Sequence, residues 1–205
     1  MKTKRNYGFN DYFELFLYAL AVICSIYFLI RGDMQRTLQP ILIILVLTVI
    51  KVLIKKSRIP ISTGLRFSVL AFIFVTMFFA NEFKGYSFIP YLDKIEHLSS
   101  GVILFYIGSL ILELINKNET NKLNIKTIIL FSLFFAIAMA GVWEIYEFTT
   151  DRLFGLRSQN NSLVDTMGDI ICGSIGALFT SIYTYRNFKV NFKVSSEVIG
   201  DSDNL

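Results

Sequence analysis

Six apolar windows, near residues 13–30, 38–54, 64–81, 95–115, 126–147 and 165–185, take up most of this 205-residue chain. Each comes close to the roughly 20 residues that carry a helix across a hydrocarbon core about 30 Å thick. Inside that core each backbone polar group must find its partner within the protein, and spans of this length do so as helices. Composition agrees: hydrophobic residues make up 54% and charged residues 18% of the chain, below the roughly 25% charge usual in soluble domains. The expectation is an all-α, polytopic membrane helix bundle of about six spans. It forms a single transmembrane domain over 1–205, with a polar cytoplasmic tail over 187–205 that frays. The second window is the shortest and carries Lys51 near its end, where a lysine snorkels toward headgroups. The last holds two aspartates and three glycines and calls for shielding by other helices.

The first run follows Lys2, Lys4 and Arg5 but offers no small-x-small cleavage site, so it reads as a retained anchor rather than a signal peptide. Lysine and arginine are held on the cytoplasmic side. With six spans, fourteen basic residues fall on the side of the N-terminus: Lys2, Lys4, Arg5, Lys51, Lys55, Lys56, Arg58, Arg66, Lys117, Lys122, Lys126, Arg186, Lys189 and Lys193. Six, namely Arg31, Arg36, Lys84, Lys94, Arg152 and Arg157, fall on the other. Both termini are therefore expected in the cytoplasm, and a bias toward Lys, Ile, Asn and Phe suggests a bacterial plasma membrane by association. The net charge of +4 then reflects topology and contact with membrane lipids, with no nucleic-acid patch in it. Cys24 and Cys172 both lie inside spans and act as small hydrophobes.

On the outer side the chain gathers acids. "DKIEHLSSG" at 93–101 places Asp93 and the only histidine, His97, at i and i+4 where the fourth span starts; "WEIYEFTTD" spaces Glu144, Glu147 and Asp151 on one face of the fifth; "DTMGD" pairs Asp165 with Asp169 at the start of the sixth. With Glu96 these make seven acids against Lys94, Arg152 and Arg157. Like carboxylates one turn apart repel, and a charge near the bilayer centre costs about 2.5–3.5 kcal/mol even on the mildest scale. Protons, the nearby bases, a divalent cation or a cationic ligand would each neutralise them. Small residues lie below each charged turn, with Ser99, Ser100 and Gly101 after His97, Ala138, Ala140 and Gly141 before Glu144, and Gly168, Gly173, Gly176 and Ala177 around Asp169. Gly173-x-x-x-Ala177 is a step that lets helices approach closely. Three spans drawn together there would close the floor of an outward-facing polar cup.

Blander readings stand beside this one. A lone histidine at a membrane interface is more often a capping or interfacial side chain, and Asp93 and Asp165 each sit where an N-terminal cap would. Glu144 and Asp169, inside or beside apolar runs, are harder to place that way. One imidazole among carboxylates suits Mg, Mn or Zn, but no H-x-x-x-H, C-x-x-C or H-E-x-x-H motif sharpens the choice. Neither a phosphate loop nor a G-x-S-x-G elbow is present. Ser99, Ser100 and Ser162 near His97 are weak candidates for nucleophiles. Most of the aromatic residues Tyr86, Phe88, Tyr91, Trp143, Tyr146 and Phe148 are expected in the interfacial belt.

"YLDKIEHLSSG", "WEIYEFTTD" and "NNSLVDTMGDIICGSIGA" together resemble the YjdF-like bacterial membrane proteins and, more loosely, the VanZ-like family. The resemblance covers roughly residues 91–180. It marks Asp93, His97, Glu144, Glu147, Asp165, Asp169 and Gly173, and implies little about activity beyond, on the VanZ-like side, an envelope or antibiotic-response setting. Three readings stay open. In the first, these residues bind a lipid headgroup or envelope intermediate through a divalent cation, with His97, Glu147, Asp165 and Asp169 as ligands. In the second, the site is a metal-dependent hydrolase or transferase acting on a lipid-linked substrate, with His97 or Glu147 as general base. The third is a proton- or cation-coupled transporter. In all three His97 is expected to face Glu147 and Asp169 across the helix interface, with Asp93 one turn above.

Overall fold

The computed structural model describes residues 8–57, 61–116, 123–155, 158–160 and 162–202. The expected positive charges at Lys2, Lys4, Arg5, Arg58, Lys117, Lys122 and Arg157 lie outside them. Among the described residues all regular structure is helical: α1 (Phe9–Ile30), α2 (Met34–Ser57), α3 (Thr63–Ile73) running on into a π-helical segment (Phe74–Glu82), a short 3-10 turn (Gly85–Ser87), α4 (Leu92–Ile115), α5 (Ile125–Phe154) and α6 (Leu163–Ser202). Six of these stretches are long and apolar enough to cross a membrane, the third formed by α3 with its π-helical continuation.

The helix ends carry the chemistry expected of them. Gly8 donates its N–H to Asp11 Oδ2 at 2.9 Å before α1. The Ser62 hydroxyl caps α3 by accepting from Leu65 N at 3.2 Å, and Asn124 Oδ1 caps α5 by accepting from Lys126 N at 2.9 Å. Gly155 ends α5 at φ 68°, a left-handed position open to glycine at little cost. Nothing in the sequence marks the π-helical segment. There the Phe83 N–H reaches back five residues to Phe78 O at 2.8 Å, the wider ladder of a π turn. The tail expected to fray is helical to Ser202, since no glycine or proline interrupts α6 between Ala177 and Gly200.

Two compact units divide the chain at residues 92 and 93. In the first, Leu17, Ala21, Cys24, Ile43, Leu47, Leu70, Ile73 and Phe78 form a buried core between α1, α2 and the α3 span. Lys51 does not snorkel alone there. Its ammonium lies 2.6 Å from Glu14 Oε1.

In the second unit the buried apolar core is small, consisting of Phe105, Ala136 and Ala177. Backbone proximity replaces bulk. A methyl group added to Gly101 would collide with the carbonyl oxygen of Gly173, and one on Gly176 with that of Leu98, so α4 and α6 touch backbone to backbone. Gly173 also meets Ala140 of α5, whose Cβ would stand 3.0 Å from an added methyl. Farther along, Ser109 and Ser132 join α4 to α5 through a 2.8 Å hydroxyl pair. Large apolar side chains such as Phe134, Ile171 and Phe179 point outward, as they do on helices whose solvent is lipid.

Candidate functional site

Helix direction decides what meets in the second unit. α5 runs antiparallel to its neighbours, so its C-terminal turns reach the N-terminal turns of α4 and α6, where Asp93 and Asp165 stand in the first turn. Those helix ends carry partial positive charge, which favours the carboxylates placed there.

Lys94 is the hub. Its Nζ lies 2.7 Å from Asp165 Oδ1, 2.7 Å from Asp169 Oδ1 and 3.3 Å from Asp93 Oδ2, and it also donates to the Asp165 carbonyl at 3.3 Å. One ammonium thus ties the start of α4 to the start of α6. Beside it stands the buried His97 ring. Its Nε2 is 3.6 Å from Asp93 Oδ1, 3.7 Å from Asp169 Oδ1 and 3.9 Å from Glu144 Oε1. All three distances exceed the roughly 2.7–3.2 Å of an N–H···O hydrogen bond. Three carboxylate oxygens therefore surround one imidazole nitrogen without bonding to it.

Glu144 is 3% exposed and Asp169 2%. One Glu144 oxygen, Oε2, accepts from Gln159 Nε2 at 3.1 Å, and the same amide bonds the Glu144 carbonyl at 3.0 Å. The other, Oε1, is buried with no hydrogen-bond partner. Gln159 is itself held by Asp151, whose two oxygens accept the N–H groups of Ser158 at 2.9 Å and Gln159 at 3.1 Å. Asn160, at φ 49°, donates from Nδ2 to Asp165 Oδ2 at 2.9 Å.

Several expectations shift. The structure sets Glu144, rather than Glu147, opposite His97, and Glu147 instead accepts from the indole of Trp143 at 2.9 Å. The reason is helical phase: three residues apart, the two glutamates share a face only approximately, and the inner edge of that face belongs to Glu144. Asp165 is engaged by Lys94 and Asn160. Among the described residues, Asp93, His97 and Asp169 form the group whose donor atoms lie within 4.8 Å of one another. Gly173 packs against the α4 backbone, where an added methyl would stand 3.6 Å from the His97 carbonyl. Ser99 and Ser100 donate to carbonyls of their own helix, and Ser162 Oγ accepts from Asp165 N. Lys94, one of the nearby bases expected to neutralise the acids, pairs with three of them, whereas nothing in the residue spacing singles out Gln159 and Asn160 as clamps. Lys94 had a visible signal, being the basic residue next to Asp93 in the first turn of α4.

Donor atoms about 2.1 Å from a shared cation stand roughly 3.0–3.4 Å from one another in octahedral or tetrahedral geometry. The Asp93 and Asp169 oxygens nearest His97 Nε2, at 3.6 and 3.7 Å, stand a few tenths of an ångström beyond the wider of those spacings. Glu144 Oε1 is farther off at 3.9 Å and outside the group whose donors all lie within 4.8 Å of one another. Two carboxylates, an imidazole and a third carboxylate with a spare lone pair make a hard to borderline donor set, suited to Mn, Mg or Zn.

Fold and site together define a multi-pass helical membrane protein with a buried cluster of acids and one histidine at one end of its last three spans. The chain matches, over residues 13–189, the family described as Predicted membrane protein (DUF2238), and it belongs to that family. This is the family of the YjdF-like proteins, and the VanZ-like likeness gains no support from the match. No curated protein and no solved structure matches the chain.

Proposed function

We propose that the α4–α6 unit holds a divalent cation between Asp93, His97, Glu144 and Asp169, and that the cation serves to bind a phosphate-bearing lipid headgroup or envelope intermediate. The observation that carries this reading is the buried, unbonded Glu144 Oε1 facing His97 Nε2 at 3.9 Å, with Asp93 and Asp169 closing the ring. A buried carboxylate oxygen with no donor costs on the order of 1–3 kcal/mol or more, and a cation at Glu144 Oε1 removes that cost. Trp143 and Tyr146, half exposed on α5 beside Glu144, belong at headgroup level, the depth at which such a ligand is found. The reading puts the protein in a bacterial plasma membrane with both termini cytoplasmic, so that the site faces outward. A phosphatase fusion after residue 190 that is active outside the cell would reverse this orientation.

The test is titration of the purified protein in detergent with Mn²⁺, following loss of the free-ion paramagnetic resonance signal. One ion per chain is expected in the wild type, with binding abolished in His97→Ala and Asp169→Asn. Equal uptake by all three proteins would remove the site from these residues.

A further inference from the structure

One oxygen atom serves two masters. Asp169 Oδ1 is 2.7 Å from Lys94 Nζ and is also the Asp169 atom nearest His97 Nε2, at 3.7 Å. A cation bound among Asp93, His97, Glu144 and Asp169 through the oxygens nearest His97 Nε2 would take that oxygen while an ammonium already holds it. Two positive charges on one carboxylate oxygen repel strongly in a site this buried.

We propose that Lys94 is a tethered competitor for the cation site, so that a divalent ion enters only as the ammonium releases Asp169. The inference rests on the cation reading above and adds regulation to it. Lys94 has somewhere to go: Asp165 Oδ1 at 2.7 Å and the Asp165 carbonyl at 3.3 Å remain as acceptors outside the cation site. Its flexible four-carbon stem allows the swing without moving α4. The ammonium has no bond to Glu144 Oε1, which is buried and without a hydrogen-bond partner. Lys94 therefore neutralises the Asp165–Asp169 side and leaves the Glu144 side to the incoming ion. A site guarded in this way exchanges its ion readily, because each departing cation is replaced at once by the side chain.

The experiment compares Mn²⁺ binding by the wild type, Lys94→Met and Lys94→Arg. Removing the competing charge should tighten Mn²⁺ binding by about tenfold or more in Lys94→Met, while Lys94→Arg stays near the wild type. Without metal, Lys94→Met should melt below the wild type, and it should gain more in melting temperature from Mn²⁺. Equal or weaker binding by a Lys94→Met protein that melts cooperatively overturns the proposal and leaves the cation reading intact. Binding by Lys94→Met alone supports the competitor and overturns that reading for the wild type. Binding by neither overturns both. Should Lys94→Met not fold, the wild type supplies the answer: acetic anhydride should acylate Lys94 severalfold faster with Mn²⁺ present than without, as read by peptide mass spectrometry. An unchanged rate overturns the proposal.

Discussion

In the first unit Asp11 and Glu14 of α1 meet Arg66 of α3 and Lys51 of α2: Arg66 Nη2 lies 2.9 Å from Asp11 Oδ1 and 2.6 Å from Glu14 Oε2, and Lys51 lies 2.6 Å from Glu14 Oε1. Two acids face two bases there. In the second unit Asp93, Glu144, Asp165 and Asp169 face Lys94 and His97, and of these two bases Lys94 alone lies within hydrogen-bond distance of any of the acids. The first cluster closes on itself and ties three helices together. The second remains short of positive charge even with its imidazole protonated, and its uncompensated oxygen lies in the interior. Each cluster holds a glutamate with a nearly buried side chain, 8% exposed for Glu14 and 4% for Glu144, so charge balance is what separates a clasp from a candidate site. A buried acid needs a reason, and for Glu14 the reason is the pair of cations at 2.6 Å from its two oxygens.

The largest effect should come from breaking the clasp. Arg66→Ala leaves Asp11 and one oxygen of the buried Glu14 without their cation, and losing one partner of a buried pair costs about 3–5 kcal/mol. A guanidinium with substantial solvent access puts Arg66 at the lower end of that range. The melting temperature in detergent should fall sharply, by the same amount with Mn²⁺ or with chelator. A drop that Mn²⁺ rescues would mean that the two clusters are not independent in kind.

The two clusters also differed in how far the sequence revealed them. The acids of the second unit were visible because they fall at i, i+4 or i, i+3, i+7 in three consecutive spans, and helical geometry turns such spacing into a shared face. The clasp was invisible by that route. Its partners sit at 11, 14, 51 and 66, and no local period links residues on different helices. Lys51 and Arg66 read as topology signals, which told their side of the membrane but not their neighbours. Within the second unit spacing reached its limit at Glu144 and Glu147, since a face about a third of a turn wide contains both. Only the approach of α6, set by the glycine contacts at Gly101, Gly173 and Gly176, decides which one is buried. Length and apolarity were enough for six spans, whereas the π-helical segment has no sequence signature because its wider turn depends on the helices it packs against.

A smaller effect should follow from loosening the second cluster without touching a candidate ligand. Gln159 orients Glu144 through two bonds, at 3.0 and 3.1 Å, and leaves Oε1 free to point at His97. Loss of such a supporting bond typically weakens a metal site by about 10–100-fold. Gln159→Ala should sit near the lower figure, because the carboxylate stays buried among the same helices. Calorimetric Mn²⁺ titration should show weaker binding at unchanged stoichiometry. Unchanged affinity would mean that Glu144 does not reach the ion.

The smallest effect has the opposite sign and separates the clusters most cleanly. Glu144→Gln keeps the shape of the side chain and the acceptor that Gln159 uses, and removes one charge from an acidic cluster. Without metal, relief of repulsion from Asp93 and Asp169 should stabilise the protein by roughly 0.5–1 kcal/mol, within the usual range for mutations that improve local charge. The equivalent change in the clasp, Glu14→Gln, should destabilise, because both Glu14 oxygens already have cations at 2.6 Å. Thermal melts of the two variants in chelator, run side by side, give the comparison directly. In Mn²⁺ the advantage of Glu144→Gln should vanish or reverse, since the wild type gains from the ion and the variant has lost a ligand. If Glu144→Gln melts below the wild type in chelator, the acid is bonded in a way that balances its charge, and the second cluster is a clasp like the first.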